Sequence, residues 1–184
     1  MLQLAPLVFI LLVMGCVADE RSRGTAITVL TKPVPRALFV LAKLCAYELT
    51  LALSLVLTAA GTYYYTSVLF SSLPLGAFCL INLALFLVLS IVLSFTVLTS
   101  TFFRNAIAAG GLAFLGYIAL IALPNLNTTI LQAFPTVLLN GKRVSQLIAG
   151  SAATLDTLKP LLIGTGLVAL LALLACLTLR WQEI

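Results

Sequence analysis

Five long apolar runs, at 2–18, 37–60, 75–98, 106–123 and 161–179, are separated by shorter stretches that hold most of the chain's charge. Each run has the length a helix needs to cross a bilayer, about 17–25 residues. Barrel strands would be shorter and would alternate in polarity. Backbone groups in lipid must also pair within their own segment, which makes these runs helices. The pattern predicts an all-α integral membrane protein with five transmembrane helices in a single transmembrane domain, residues 1–184.

Between the first two runs lies a charged island, 19–36, which holds Asp19, Glu20, Arg21, Arg23, Lys32 and Arg36, six of the chain's fifteen charged residues. A second connector, 124–160, is long for a membrane loop and only weakly polar. Within it, 128–134 and 144–155 read as short helices, with Pro135 and Asn140-Gly141 as breakers. The pattern places this loop at the outer surface or dipping into the protein. Asn127-Thr128-Thr129 matches a glycosylation sequon, which matters only in a eukaryotic secretory pathway.

Composition removes several classes of function. Hydrophobic residues make up 62% and charged residues 8%, where a soluble domain carries about 25% charge. The chain has no histidine, which removes His-ligated metals and His general bases. Cys16, Cys45, Cys79 and Cys176 are isolated in apolar runs, so they predict helix packing and no metal site. No paired carboxylates or nucleophile–base arrangement is present, and no catalytic residue is expected. The basic residues do not cluster with aromatics, which argues against nucleic acid.

Charge sets orientation. With the island inside, Arg21, Arg23, Lys32, Arg36 and Lys43 are cytoplasmic or at that boundary and Arg104 and Arg180 are also inside, against Lys142, Arg143 and Lys159 outside. The N-terminus is then outside and the C-terminus cytoplasmic. Tyr63, Tyr64 and Tyr65 form an outer aromatic belt and Trp181 an inner one. An outside N-terminus without basic residues before Asp19 is unusual. It suggests a further span ahead of Met1, absent through truncation or a late start codon; Val13-Met14-Gly15-Cys16 resembles a lipoprotein cleavage site only faintly.

Three features could carry chemistry. In the island, Ile27 and Leu30 lie three apart with Val34 one turn on, which suits a short helix on the membrane surface. Pro33 and Pro35 end it and stiffen the entry to the next span. Such a segment either docks a soluble partner or only fixes topology. Glu48 lies about 7 Å beyond Lys43 along the second run. An intramembrane carboxylate is a functional candidate, unless it snorkels to the inner boundary or pairs with Lys43 or Arg104. Finally, Ala106 with Gly110, and Ala109 with Ala113, space small residues four apart. Such faces pack helices closely, within one subunit or across a dimer or translocation face.

The island carries a family resemblance. Glu20-Arg21-Ser22-Arg23-Gly24-Thr25, then Leu30-Thr31-Lys32-Pro33-Val34-Pro35-Arg36, then Ala42-Lys43 resembles the permease subunits of ABC-2 type transporters. That family's pattern is an acidic residue and Gly-Thr after the second span, Leu-x-x-Pro-Val-Ser-Arg, and Gly-Lys opening the third. Pro35 stands for the usual Ser and Ala42 for the usual Gly. Arg180-Trp181-Gln182-Glu183-Ile184 is similar to the family's C-terminal ending, and the loop 124–160 to its short outer helices. Against the family's six spans, this chain shows five and lacks the first.

The resemblance implies that the short helix is a coupling helix, with Glu20, Arg21, Gly24, Thr25, Ile27, Leu30 and Pro33 binding a cytoplasmic ABC ATP-binding subunit. The implied protein is an exporter in a bacterial or archaeal cell membrane, working as a homo- or heterodimer with a second permease subunit among membrane lipids. ATP and Mg would belong to the ATP-binding subunit, since this chain has no phosphate-binding Gly-rich loop with Lys-Ser or Lys-Thr. No cofactor or metal is expected in the chain itself. The alternative is a secondary transporter or channel fragment whose path is lined by Glu48, Asn82, Ser90, Ser94 and Thr96.

Overall fold

The computed structural model describes residues 4–18, 36–69, 74–103, 105–122, 135–139, 144–145 and 154–181. The main elements are α1 (Leu4–Val13), α2 (Arg36–Leu69), α3 (Leu75–Phe102), α4 (Ala106–Ala122), a 3₁₀ helix (Pro135–Leu139) and α5 (Thr154–Trp181). No strand occurs among the described residues. By length and composition Leu38–Leu69, Leu75–Phe102 and Leu158–Thr178 can each cross a membrane.

The other two expected spans are shorter. α1 has 10 residues, about 15 Å of helix, because the chain turns at 14–17 around Gly15. α4 has 17 residues and sits at the lower limit for a bilayer. Asn105 Oδ1 caps its start, accepting the Ile107 N–H at 3.1 Å. Two helices run longer than the apolar pattern foretells. α2 continues to Leu69 and so contains the tyrosines. α5 begins at Thr154 and holds Pro160 inside it, where the sequence reading ends a loop at that proline.

α3 is the hub. From Leu87 to Ser94 every residue is buried, which only a helix surrounded on all faces shows. It packs against α1, α2, α4, α5 and the 3₁₀ helix. Leu89, Leu93 and Val97 meet Val13, Val17, Val40, Leu44, Leu51 and Ala175 in the main core. A second cluster joins Ile10, Val92, Ala113 and Tyr117.

The helices alternate in direction. The end of α1 meets the end of α3 at Ser100, the start of α2 at Lys43, and Thr101 meets Thr178 near the end of α5 at 3.0 Å. One end of the bundle, hereafter the island end, therefore gathers both helix termini that flank 19–35. At the other end Tyr63 stacks on Phe78 with centroids 5.4 Å apart.

The small-residue run packs inside the chain. Ala109, Gly110 and Ala113 are buried, and a Cβ added at Gly110 would lie 2.7 Å from Met14 Sδ. The part of the long connector that is described dips inward. Pro135 and Val137 are buried, Pro135 lies against Gly164, and Leu139 packs on Ala84, Leu87 and Leu161. Leu87 is about 18 Å along α3 from Leu75.

α2 carries its own polar partners. Thr50, Ser54, Thr58, Thr62, Thr66 and Ser67 each donate a hydroxyl to a carbonyl three or four residues back, at 2.7–2.9 Å.

Candidate functional site

Glu20, Arg21, Gly24, Thr25, Ile27, Leu30 and Pro33 lie outside the described residues, as do Arg104 and the sequon at Asn127. The base from which the island leaves is described. Past Val13 the chain turns, and the Val17 and Ala18 amides no longer find carbonyl partners in a continuing helix. Both N–H groups donate to Ser100 Oγ at 3.1 Å, and all three residues are buried. A single hydroxyl oxygen thus accepts two backbone N–H groups that the turn leaves without helical partners. From α2, Lys43 Nζ donates to the Cys16 carbonyl and lies 4.7 Å from the centroid of the Phe39 ring. The lysine that reads as a boundary charge in the sequence is therefore a cross-brace between α1 and α2.

Glu48 stands beside the buried stripe Val40, Leu44 and Leu51 of α2. That register turns it toward α3, where the Ser90 hydroxyl donates to Glu48 Oε2 at 2.6 Å. Glu48 Oε1 is buried with no hydrogen-bond partner. Glu48 therefore neither snorkels to the island end nor pairs with Lys43. A short bond to a carboxylate is strong, yet it leaves one of this carboxylate's two oxygens without a donor.

Of the polar residues assigned to a possible path, only Glu48 and Ser90 come together. Thr96 donates to the Val92 carbonyl at 2.7 Å, and Asn82 to the Phe78 carbonyl at 2.9 Å. Ser94 is fully buried with its Oγ unpartnered. Ser100 was missed by sequence reasoning. Its signal is the crowding of Thr96, Thr99, Ser100 and Thr101 into the last turns of an otherwise apolar helix. No group of three or more metal-binding side chains occurs among the described residues.

Among the described residues, two clefts open beside α3. One, of about 190 Å³, lies between α3, α4 and α5 around Phe95, Gly116 and Leu171. The other, of about 310 Å³, lies between α2 and α3.

A family model described as ABC-2 family transporter protein matches residues 1–179. Neither a curated protein nor a solved structure matches the chain.

Proposed function

The chain belongs to the ABC-2 family of transporter proteins, as a permease of an ABC-type transporter, and on that premise we propose that it exports its cargo with ATP hydrolysed by a separate ATP-binding subunit docked on residues 19–36. The family match over 179 residues carries this reading. The island supports it further. It combines an acidic and basic rim with apolar Ile27 and Leu30, an arrangement that suits a groove on a soluble partner. The braced base adds a mechanical reason: with α1 tied to α3 through Ser100 and to α2 through Lys43, a push on the island reaches three helices together. A second permease subunit completes the transporter in this proposal.

Gly24→Trp is expected to abolish co-purification with the ATP-binding subunit, because a small residue at a docked surface is replaced by bulk. Glu20→Lys should weaken it in a salt-dependent way, since rim charges steer docking. Lys142→Ala or Arg143→Ala should leave association unchanged. Co-purification in mild detergent, followed by ATPase stimulation, reads all three. If the two island variants associate and couple like wild type, the island is a topology signal only.

The proposal also fixes sidedness, with the island on the cytoplasmic face. In a background without the native cysteines, Ser22→Cys should react with an impermeant maleimide only after the cytoplasmic face is opened. Ser72→Cys should react in intact cells. The reverse pattern would overturn the orientation.

A further inference from the structure

The cleft between α2 and α3 and the Glu48–Ser90 pair lie next to each other along the same two helices. Ala52, Leu55 and Val56 of α2 and Phe78, Asn82 and Phe86 of α3 line the cleft. Its walls are almost wholly apolar, and its volume of about 310 Å³ falls at the lower end of small-molecule sites, about 300–1,000 Å³. Ala52 and Phe86 lie nearest the island end. One helical turn beyond them, on the same faces, stand Glu48 and Ser90. The island end of this apolar slot thus lies one helical turn from a carboxylate with one oxygen already bonded at 2.6 Å and the other buried without a partner. Ser94, a further turn along α3, adds a buried hydroxyl without a partner.

We propose that this cleft binds an amphiphilic organic amine in its cationic form, with the ammonium group at Glu48 Oε1 and the apolar body between α2 and α3. A buried carboxylate oxygen with no donor is costly in a medium of low dielectric. An ammonium group supplies both the missing donor and the opposite charge. Lys43 is directed to the Cys16 carbonyl and does not meet that need. A lipid acyl chain would fill the slot but would leave Oε1 without a donor, and an anion would be repelled. That such an amine is also the cargo rests on the transport reading above. Binding is measured on the full chain without an ATPase, so failure of either claim leaves the other standing.

The test uses the chain in lipid nanodiscs with fluorescent dansylcadaverine, a primary amine on an aromatic body, and its neutral N-acetyl form. Wild type is expected to bind the amine at least about tenfold more tightly than the neutral form, the scale of one charge-assisted hydrogen bond. Glu48→Gln should abolish that preference. Val56→Trp, which fills the slot and leaves Glu48 in place, should abolish binding of both, and covers the case that Glu48→Gln does not fold. Cys79 lines the cleft and is exposed. In a variant retaining only that cysteine, the amine should slow its maleimide labelling while the N-acetyl form does not. Equal binding of the two probes to wild type would identify an acyl-like slot and overturn the proposal. Retained preference in Glu48→Gln, or unchanged binding in Val56→Trp, would do the same.

Discussion

Ser100→Ala is expected to lower the thermal unfolding midpoint of the detergent-solubilised protein by several degrees and to open Cys16 to thiol reagents. Ser100 Oγ accepts two N–H groups, from Val17 and Ala18, at a fully buried position. Alanine deletes the acceptor and leaves the chain turn in place, so both donors lose their partner. A buried group left without a partner costs about 1–3 kcal/mol, which puts the pair on the order of 2–6 kcal/mol. Water cannot offset the loss without opening the joint between α1 and α3. Cys16 is 7% exposed in the intact joint and reports such an opening through its labelling rate. Ser67→Ala removes an exposed hydroxyl bonded only to its own helix and should change neither readout. If Ser100→Ala matches Ser67→Ala in both measurements, the hydroxyl does not hold the joint.

Leu93→Ala should cost about 2–5 kcal/mol of bundle stability, whereas Leu57→Ala should stay within about 0.5 kcal/mol. The two changes are chemically identical and differ only in place. Leu93 is 1% exposed at the centre of the core that joins α1, α2, α3 and α5; Leu57 is 74% exposed on α2. Inside a bilayer, apolar helices gain little from leaving lipid, and their association rests on close packing. A leucine on α3 is held by many small dispersion contacts, and truncation leaves a void that its neighbours fill only in part. Equal denaturation curves for the two variants would mean that α3 is not the hub.

The sequence makes the helices legible because lipid demands long apolar runs, and the start of α3 at Leu75 is read to the residue. It is less informative about where helices end. Hydropathy marks where lipid gives way to a polar environment, while hydrogen bonding decides where a helix stops. Tyr63–Tyr65 read as a belt beyond a span, yet nothing between Ala60 and Leu69 breaks the backbone, and α2 continues through them. Conversely, Gly15 lies inside an apolar run, yet the chain already turns at 14–17. Glu48 was visible as an isolated charge. Its partner was not, because Ser90 lies 42 residues away on another helix. Ser100 went unseen for the same reason: its two donors lie 83 and 82 positions earlier in the chain.

The hydroxyls of α2 have a consequence for motion. A polar side chain that depends on water fixes the depth of its helix, because drawing it into lipid leaves it unsatisfied. Six hydroxyls between Thr50 and Ser67 depend instead on carbonyls of the same helix, and those bonds travel with it. These six hydroxyls therefore add little polar solvation energy to a change in the immersion or tilt of the half of α2 away from the island end, and the exposed Tyr64 and Tyr65 are what set its depth there. At 34 residues, about 51 Å, α2 outreaches a hydrocarbon core of about 30 Å and stays anchored in it through such a displacement.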